Sequence, residues 1–443
     1  MQGLQNYLNW IYTPQLKMKI MFKNSAIFLG AALLWVGCGD DSSGGTTVPD
    51  ATPMMDGATA DATPMDAGSE LDDNMRRMVL ASTGRHVVVA TYDRFQASAG
   101  ELLAAVMAWQ SGPSASTLEA AQAAWQSAMA IWQQAEVMQF GPAAAMEAAT
   151  GGQDMRDDIY SWPTISRCRV DQEVVEAAYS DVTAFTMEGV NVRGLDALES
   201  LLFNQSAENT CSSGSTINRS GSWAAIPEAE IQARRGDYAV TLATLVRDSA
   251  NRLQSAWAPA GENFLGELEM AGTGSEVYSS GQEGLNALSD ALFYLDKETK
   301  DMKLAIPAAL TMDCMAMSCP EDVESDVAHV SLENIRQNLI GFQAVFTGRL
   351  AGTEGPETGG ESFRSLLLSM GADSLVSDMD TAIANALAAV GPLDGTLAEA
   401  VVSDRDDVVA LYNAVKSITD ILKTSFVGTL DLELPARAEG DND

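Results

Sequence analysis

The acidic pair Asp196 and Glu199 is the first candidate for chemistry in this sequence. Side chains three positions apart lie on one face of an α-helix, and two carboxylates favour a hard cation such as calcium, magnesium, manganese or ferric iron over zinc. A helix beginning near Gly194 would also put Asp196 in its first turn, where the helix dipole favours an acid. The pair is therefore either a metal site or a first-turn acid beside a Glu199 that bonds Arg193 or another helix.

Histidine is scarce, since the chain contains only His86 and His329. His329 could face the first bundle and complete a site, but a satisfied surface or interface histidine is the simpler interpretation, and we assign neither residue to the site. The sequence contains no Gly-x-Ser-x-Gly, no His-Glu-x-x-His, no P-loop and no dinucleotide fingerprint. We therefore assign no catalytic residue.

Four cysteines follow Cys38 in the chain and allow three pairings. A Cys314–Cys319 bridge would close a short local loop and leave Cys168 to pair with Cys211. Loop-closure entropy assigns ~2 kcal/mol to the first bridge and ~4 kcal/mol to the second. The alternative is a thiolate metal site, but Cys-x-x-Cys pairs are missing and an oxidising compartment favours disulfides. We expect two disulfides.

The first residues carry the features of an export signal. Lys19 and Lys23 precede an apolar run over residues 26–36, which ends at Gly37 and Cys38. This order is typical of a secretory signal, and the run is shorter than the about 20 residues that a membrane span needs. A cysteine at this place resembles a bacterial lipoprotein signal. We predict a signal peptide over 1–37 and lipidation at Cys38; the alternative is an ordinary signal peptide with a chance cysteine.

Residues 38–70 have the composition of a tether. The string Asp-Ala-Thr-Pro-Met occurs at 50–54 and again at 61–65, in a Pro/Ala/Thr/Asp-rich stretch without apolar periodicity. Such sequence predicts a disordered linker. A tether after a lipidated cysteine would hold the folded part off a membrane, so we expect a bacterial cell-envelope protein that faces the periplasm or the cell surface and contacts the membrane through its lipid.

From residue 71 onward the apolar residues recur every three or four positions. One such stripe consists of Val408, Leu411, Val415, Ile418 and Leu422. No segment shows the sustained alternation that predicts strands. We predict an all-α fold of two packed helical bundles of about four helices each, over residues 71–258 and 259–436, with the boundary in the Gly-rich stretch 259–276.

The charge balance excludes one class of partner. The chain has 26 Lys and Arg against 61 Asp and Glu, a formal net charge of -35. Nucleic-acid backbones are bound by clustered basic residues, which this chain lacks. We therefore expect no nucleic-acid partner.

Residues 188–204 carry a recognisable signature. This segment resembles the signature region of the imelysin family, which is Gly-x-His-x-x-Glu followed by a Leu-Leu pair. Gly194, Glu199, Leu201 and Leu202 match that motif, and Asp196 stands where the histidine would be. Further matching pieces follow the family order over about residues 75–430: Trp125, Phe140-Gly141-Pro142, Trp162-Pro163, Lys303, Pro307, Glu324-Ser325, Ser331-Leu332, Asn338, Gly341 and Gly348.

The resemblance implies a function as well as a fold. It implies an all-helical fold of two four-helix-type bundles and a periplasmic or surface role linked with iron uptake. We expect a lipid-anchored binding protein for a metal ion (iron, calcium or manganese) or a metal complex, with Asp196 and Glu199 at the junction of the bundles. The alternatives are a structural or adhesion module and, less favoured, a metallopeptidase, because catalytic zinc sites usually include a histidine.

Overall fold

The computed structural model describes residues 67–147, 149–350, 361–436 and 438. Every regular element in these ranges is helical, which confirms the predicted all-α fold. The predicted signal peptide, Cys38 and most of the predicted linker lie outside the described residues. The first helix begins at Ala67, slightly before the expected end of that linker.

The α-helices, numbered in chain order, are α1 (Ala67–Thr83), α2 (Ala90–Ser111), α3 (Ala115–Ala135), α4 (Arg167–Glu176), α5 (Val182–Phe185), α6 (Gly194–Phe203), α7 (Thr216–Arg219), α8 (Glu228–Trp257), α9 (Phe264–Glu269), α10 (Gly281–Leu292), α11 (Ser331–Thr347), α12 (Phe363–Ser369), α13 (Asp373–Val390), α14 (Leu397–Ser403), α15 (Arg405–Ile421) and α16 (Val427–Leu430). Within the described ranges, none of them combines the length and the apolar character that a membrane crossing requires.

Wider π-helical and tighter 3-10 turns continue or connect these helices. The π-helical segments are Gly84–Val89, Leu295–Ala305 and Leu422–Phe426, and the 3-10 turns are Glu136–Met138, Gly141–Ala143, Ala178–Ser180, Val190–Val192 and Pro320–Asp322. The π-helical segment Leu295–Ala305 follows α10 almost directly. This geometry is rare and is often found at functional sites.

The first bundle is built from α2, α3, α6 and α8. Helix α3 begins after Ser114, whose hydroxyl accepts a hydrogen bond from the Thr117 backbone N–H at 3.2 Å. Its inner face buries Trp125 and Trp132. The Trp125 indole N–H donates to the Leu195 carbonyl at 2.8 Å and so attaches α6 to α3.

The second bundle is built from α11, α13, α15 and the helix formed by α10 with the segment Leu295–Ala305. The predicted apolar stripe runs along α15 to Leu422 at the start of the next π-helical segment, and it is buried along its whole length. The two bundles pack against each other through α3 and α11. A Cβ on Gly341 of α11 would lie 2.5 Å from the Gln134 carbonyl oxygen, so only glycine permits this approach.

The described residues from Gly68 onward form one compact unit. The boundary predicted at 259–276 lies inside that unit, and the division into two domains stays a prediction. The structure pairs Cys168 with Cys211 and Cys314 with Cys319, at S–S distances of 2.00 and 2.08 Å. This is the pairing that the loop lengths favoured.

Candidate functional site

Helix α6, which carries the signature, begins at a position that only glycine occupies without strain. Gly194 has φ +87°, and a Cβ on it would lie 2.8 Å from the Ile159 carbonyl oxygen. The next residue, Leu195, donates its backbone N–H to that same oxygen at 2.8 Å. Gly194 therefore lets the chain around Ile159 lie directly against the start of α6.

Asp196 is buried in the first turn of α6 and accepts three hydrogen bonds. Its Oδ2 accepts from the Ser161 backbone N–H at 3.1 Å and from the Ser161 hydroxyl at 2.8 Å. Its Oδ1 accepts from the Ala197 backbone N–H at 3.0 Å. Burial raises the pKa of Asp196 to about 7, although the Ser161 and Ala197 donors act in the opposite direction.

Glu199 lies one turn further along α6 and is also buried. Its Oε1 accepts from the Ala328 backbone N–H at 3.0 Å. Burial raises the pKa of Glu199 to about 7, and the Ala328 N–H, the Arg167 charge and the Ser325 hydroxyl oppose that rise. The two carboxyls thus join α6 to two different segments, one containing Ser161 and one leading into α11.

Tyr160 connects this pair to a third carboxylate. Its hydroxyl donates to Glu324 Oε1 at 2.7 Å. Burial raises the pKa of Tyr160 well above its usual range, and the nearby charges of Glu324, Asp196 and Glu199 raise it further. The phenol therefore stays protonated and acts as a hydrogen-bond donor among three acidic side chains.

Glu324 belongs to a group of polar side chains that are buried together. We call Gln133, Lys303, Glu324, Asn334 and Asn338 the buried polar cluster. Lys303 Nζ lies 3.0 Å from Glu324 Oε2 and donates to Gln133 Oε1 at 2.7 Å and to Asn338 Oδ1 at 2.8 Å. Gln133 Nε2 donates to Glu324 Oε1, and Asn334 Nδ2 to Glu324 Oε2, both at 3.0 Å.

The buried polar cluster keeps an ion pair in the interior. Burial lowers the pKa of Lys303, while the charges of Glu324 and Glu136 oppose that change. The Lys303 ammonium also lies 5.3 Å from the centre of the Tyr294 ring and 5.7 Å from that of Trp162. Its three N–H donors are directed to Glu324, Gln133 and Asn338, so each has a partner, as a buried ammonium requires.

A second ion pair adjoins the cluster. Arg156 donates two hydrogen bonds to the Glu136 carboxylate, at 3.2 and 2.9 Å, and a third to the Trp162 carbonyl at 3.1 Å. Its charge also acts on Asp196. The hydroxyl of Tyr294 is buried near both Glu136 and Glu324 and has no hydrogen-bond partner among the described residues.

The site contains hard oxygen donors for a metal ion, but these donors do not form an open coordination site. Nowhere in the part of the chain that the structure describes do three His, Cys, Asp or Glu side chains form a group able to hold a metal ion. His86 and His329 are exposed, and the charge of His329 acts on Glu399. A cation at Asp196 and Glu199 would therefore have to displace protons and existing protein hydrogen bonds.

Sequence reasoning missed several residues of this site. It did not single out Gln133, Glu136, Arg156, Tyr160 or Ser161. For Gln133 and Glu136 a signal was present, because both interrupt the apolar face of α3 and its continuation, next to Trp132 and Val137. A polar side chain at a core position of a helix needs a buried partner, but the sequence does not say which one.

Comparison with known proteins connects this geometry to a family. The imelysin family profile matches residues 88–424. A relative named "Iron-regulated protein A", from Synechococcus elongatus, is 26% identical over 269 residues, which cover 59% of this chain and 62% of the relative. The chain thus spans less than two thirds of that relative's length.

Two solved structures are similar in fold. One, described as an iron-regulated protein A precursor from Parabacteroides distasonis, has a TM-score of 0.63 at 15% identity and covers 81% of this chain and 94% of its own. The other, an imelysin-like protein from Psychrobacter arcticum, has a TM-score of 0.60 at 17% identity, with 81% and 96% covered. Since the family profile extends over most of the chain, including the signature on α6, the chain belongs to the imelysin family.

Proposed function

We propose that this chain is an exported, lipid-anchored binding protein of iron uptake, whose ligand is a hard cation or its complex. The observation that carries the proposal is the pair Asp196 and Glu199, buried three positions apart and with pKa values raised to about 7. Near neutral pH such carboxyls hold protons that a cation can replace. The name of the Synechococcus elongatus relative supports a link with iron.

The chemistry of the donors favours a hard ion. Asp196 and Glu199 supply carboxylate oxygens, and the protonated Tyr160 hydroxyl lies close enough for both charges to act on it. Oxygen ligands of this kind suit ferric iron, manganese or calcium better than soft ions. Binding would release the protons on the two carboxyls, so the affinity for the cation should rise with pH.

A structural or adhesion role is the second candidate, and one observation favours it. The carboxyls of Asp196 and Glu199 already accept hydrogen bonds from Ser161, Ala197 and Ala328. In that role the pair would hold α6 against its neighbouring segments and would need no ligand.

Thermal melting separates the two candidates. Wild type and the variant Asp196→Ala with Glu199→Ala are melted with a chelator and then with ferric iron, manganese or calcium. A ligand that binds only the folded state should stabilise wild type by about 2.7 kcal/mol at a hundredfold excess over its Kd. The variant should not respond, because both carboxylates are missing.

The matched control removes the same charge from the surface. Glu101 on α2 and Glu119 on α3 are exposed, so Glu101→Ala with Glu119→Ala should keep the full response to the ion. If wild type and the Asp196/Glu199 variant respond equally to every ion, the metal proposal is wrong and the structural role is favoured.

A further inference from the structure

The short loop closed by the Cys314–Cys319 disulfide presents an unusual surface. Met315 and Met317 lie inside the ring, and Met312 lies just before it. The three methionines are 94% (Met312), 96% (Met315) and 91% (Met317) exposed. The loop therefore projects three thioether sulfurs into solvent within six consecutive residues.

This exposure is costly if the loop only connects two elements. Burying a methionine side chain typically contributes about 1.5–3 kcal/mol, and all three forgo it. Single exposed apolar residues need no explanation, and Met146 and Met187 are examples, at 64% and 87% exposure. Two such methionines in one small ring, with a third just before it, indicate a use for the sulfur atoms.

We propose that this loop binds a soft monovalent cation, Cu(I) or Ag(I), through the thioether sulfurs of Met312, Met315 and Met317. Thioethers are neutral, soft ligands and select Cu(I) over hard ions. The sulfurs of Cys314 and Cys319 are bonded to each other, so methionine is the soft donor that this loop can offer. The site is independent of Asp196 and Glu199, whose oxygens suit the opposite class of ion.

The chain spacing lets the sulfurs converge. The Cα atoms of Met315 and Met317 are at most about 7 Å apart, and those of Met312 and Met315 at most about 11 Å. Methionine side chains are long and flexible, so they can turn toward a common point. The ring is also anchored, because the Cys319 backbone N–H donates to the Pro307 carbonyl at 2.9 Å.

Acidic residues around the ring favour a cation. Asp313 lies between Met312 and Cys314, and Glu321 and Asp322 follow the ring after Pro320. The charges of Glu321 and Asp313 both act on Asp322, which places the three acids near one another. Such a local negative field raises the concentration of cations at the loop. Full exposure of the methionines leaves the path from solvent open.

The test measures Cu(I) binding by competition with a chromophoric Cu(I) chelator, without oxygen. Cu(I) is added as its acetonitrile complex, so that no thiol reductant reaches the disulfide. The test variant is Met312→Leu with Met315→Leu and Met317→Leu, which keeps the apolar volume and removes the sulfur. Wild type should withdraw about one equivalent of Cu(I) more from the chelator than this variant does, since the variant lacks the soft donors.

The matched control is Met146→Leu with Met187→Leu, which removes two exposed methionines elsewhere. It should bind Cu(I) as wild type does. A second measurement follows the methionine methyl resonances during addition of Ag(I). Three resonances should shift in wild type. A later addition of Mn(II), a hard ion, should not reverse that shift.

Three outcomes would overturn the proposal: no withdrawal of Cu(I) by wild type, equal withdrawal by the loop variant, or an equal loss in the control. Equal withdrawal by the loop variant would mean that groups other than these three sulfurs bind the Cu(I), because leucine offers no soft donor. The metal response of Asp196 and Glu199 is measured separately and does not decide this result.

Discussion

At the scale of single residues, Asp196 and Glu199 connect burial to protonation. Both carboxyls have pKa values of about 7 in the folded chain, against about 4 in an unfolded one. Between these values the folded state holds protons that the unfolded state has lost. Stability from this source is complete below about pH 4 and is lost as the pH rises through about 7.

We therefore expect the free energy of unfolding, measured without metal, to fall between about pH 4 and 7, by up to about 1.4 kcal/mol per pH unit for each group. Asp196→Asn with Glu199→Gln should remove that part of the slope, because neither new side chain titrates. Urea unfolding at several pH values measures it. Glu101→Gln with Glu119→Gln should keep the wild-type slope; an unchanged slope in the Asp196/Glu199 variant would contradict the assignment.

Lys303 and Glu324 are a fully buried ion pair, and removing one partner leaves the other unpaired. Lys303→Met would leave the Glu324 carboxylate without its cationic partner and the Gln133 oxygen without one of its two donors. We expect a loss of about 3–5 kcal/mol in the free energy of unfolding.

Adding Glu324→Gln to the Lys303→Met variant should recover part of that loss, because the two sites are coupled. Lys416→Met is the control. Lys416 pairs with Asp420 one helical turn away at the surface, and its loss should cost only about 0.3–0.5 kcal/mol. A Lys303→Met variant as stable as this control would show that the buried pair contributes little.

At the scale of elements, the contact of α3 with α11 determines how the buried polar cluster assembles. Gln133 comes from α3, and Asn334 and Asn338 come from α11. The helices approach closely at Gly341, where a Cβ would lie 2.5 Å from a backbone oxygen of α3. The same close approach brings Asn338 Nδ2 to the Gln133 carbonyl at 2.7 Å.

Gly341→Ala should therefore separate the two helices locally and reduce stability by about 1–3 kcal/mol, because the backbone of α3 cannot yield as a side chain can. Gly100→Ala on α2 is the matched control. No atom lies within 4 Å of the Cβ it would gain, and the helix should become about 0.5–1 kcal/mol more stable. Thermal melting of both variants measures the two changes in stability. Equal changes would mean that α3 and α11 leave room for a Cβ at Gly341.

At the scale of the whole molecule, the proposed lipid anchor and the folded unit belong to different parts of the chain. The described residues from Gly68 onward form a compact unit of their own, and Cys38 lies outside them. If the lipid on Cys38 is the anchor, Cys38→Ser should move the protein from the membrane fraction to the soluble fraction. The folded unit should melt as before.

Fractionation of cells followed by immunoblotting measures the distribution. Cys314→Ser with Cys319→Ser is the control, since it removes cysteines that have no part in the proposed anchor and should leave the protein with the membranes. A wild-type protein that is already soluble would contradict lipidation. Membrane retention of the Cys38→Ser variant would show that another feature holds the protein there.

The sequence by itself determined the helical fold, the composition of the core and the family. The stripe from Val408 to Leu422 predicted a buried helix face, and those side chains are buried. The sequence also indicated the cysteine pairing, because a bridge from Cys314 to Cys319 closes a short loop. These features are local: helical periodicity and loop length are properties of neighbouring residues, and they can be counted along one chain.

Only the tertiary structure decided what surrounds the signature. Asp196 meets Ser161, 35 positions away, and Glu199 meets Ala328, 129 positions away. Lys303 meets Gln133 across 170 positions. A helix pattern specifies which face is buried, but the partner that reaches each buried polar atom depends on how helices dock side by side. That docking follows from close packing of the whole interior, and no local spacing encodes it.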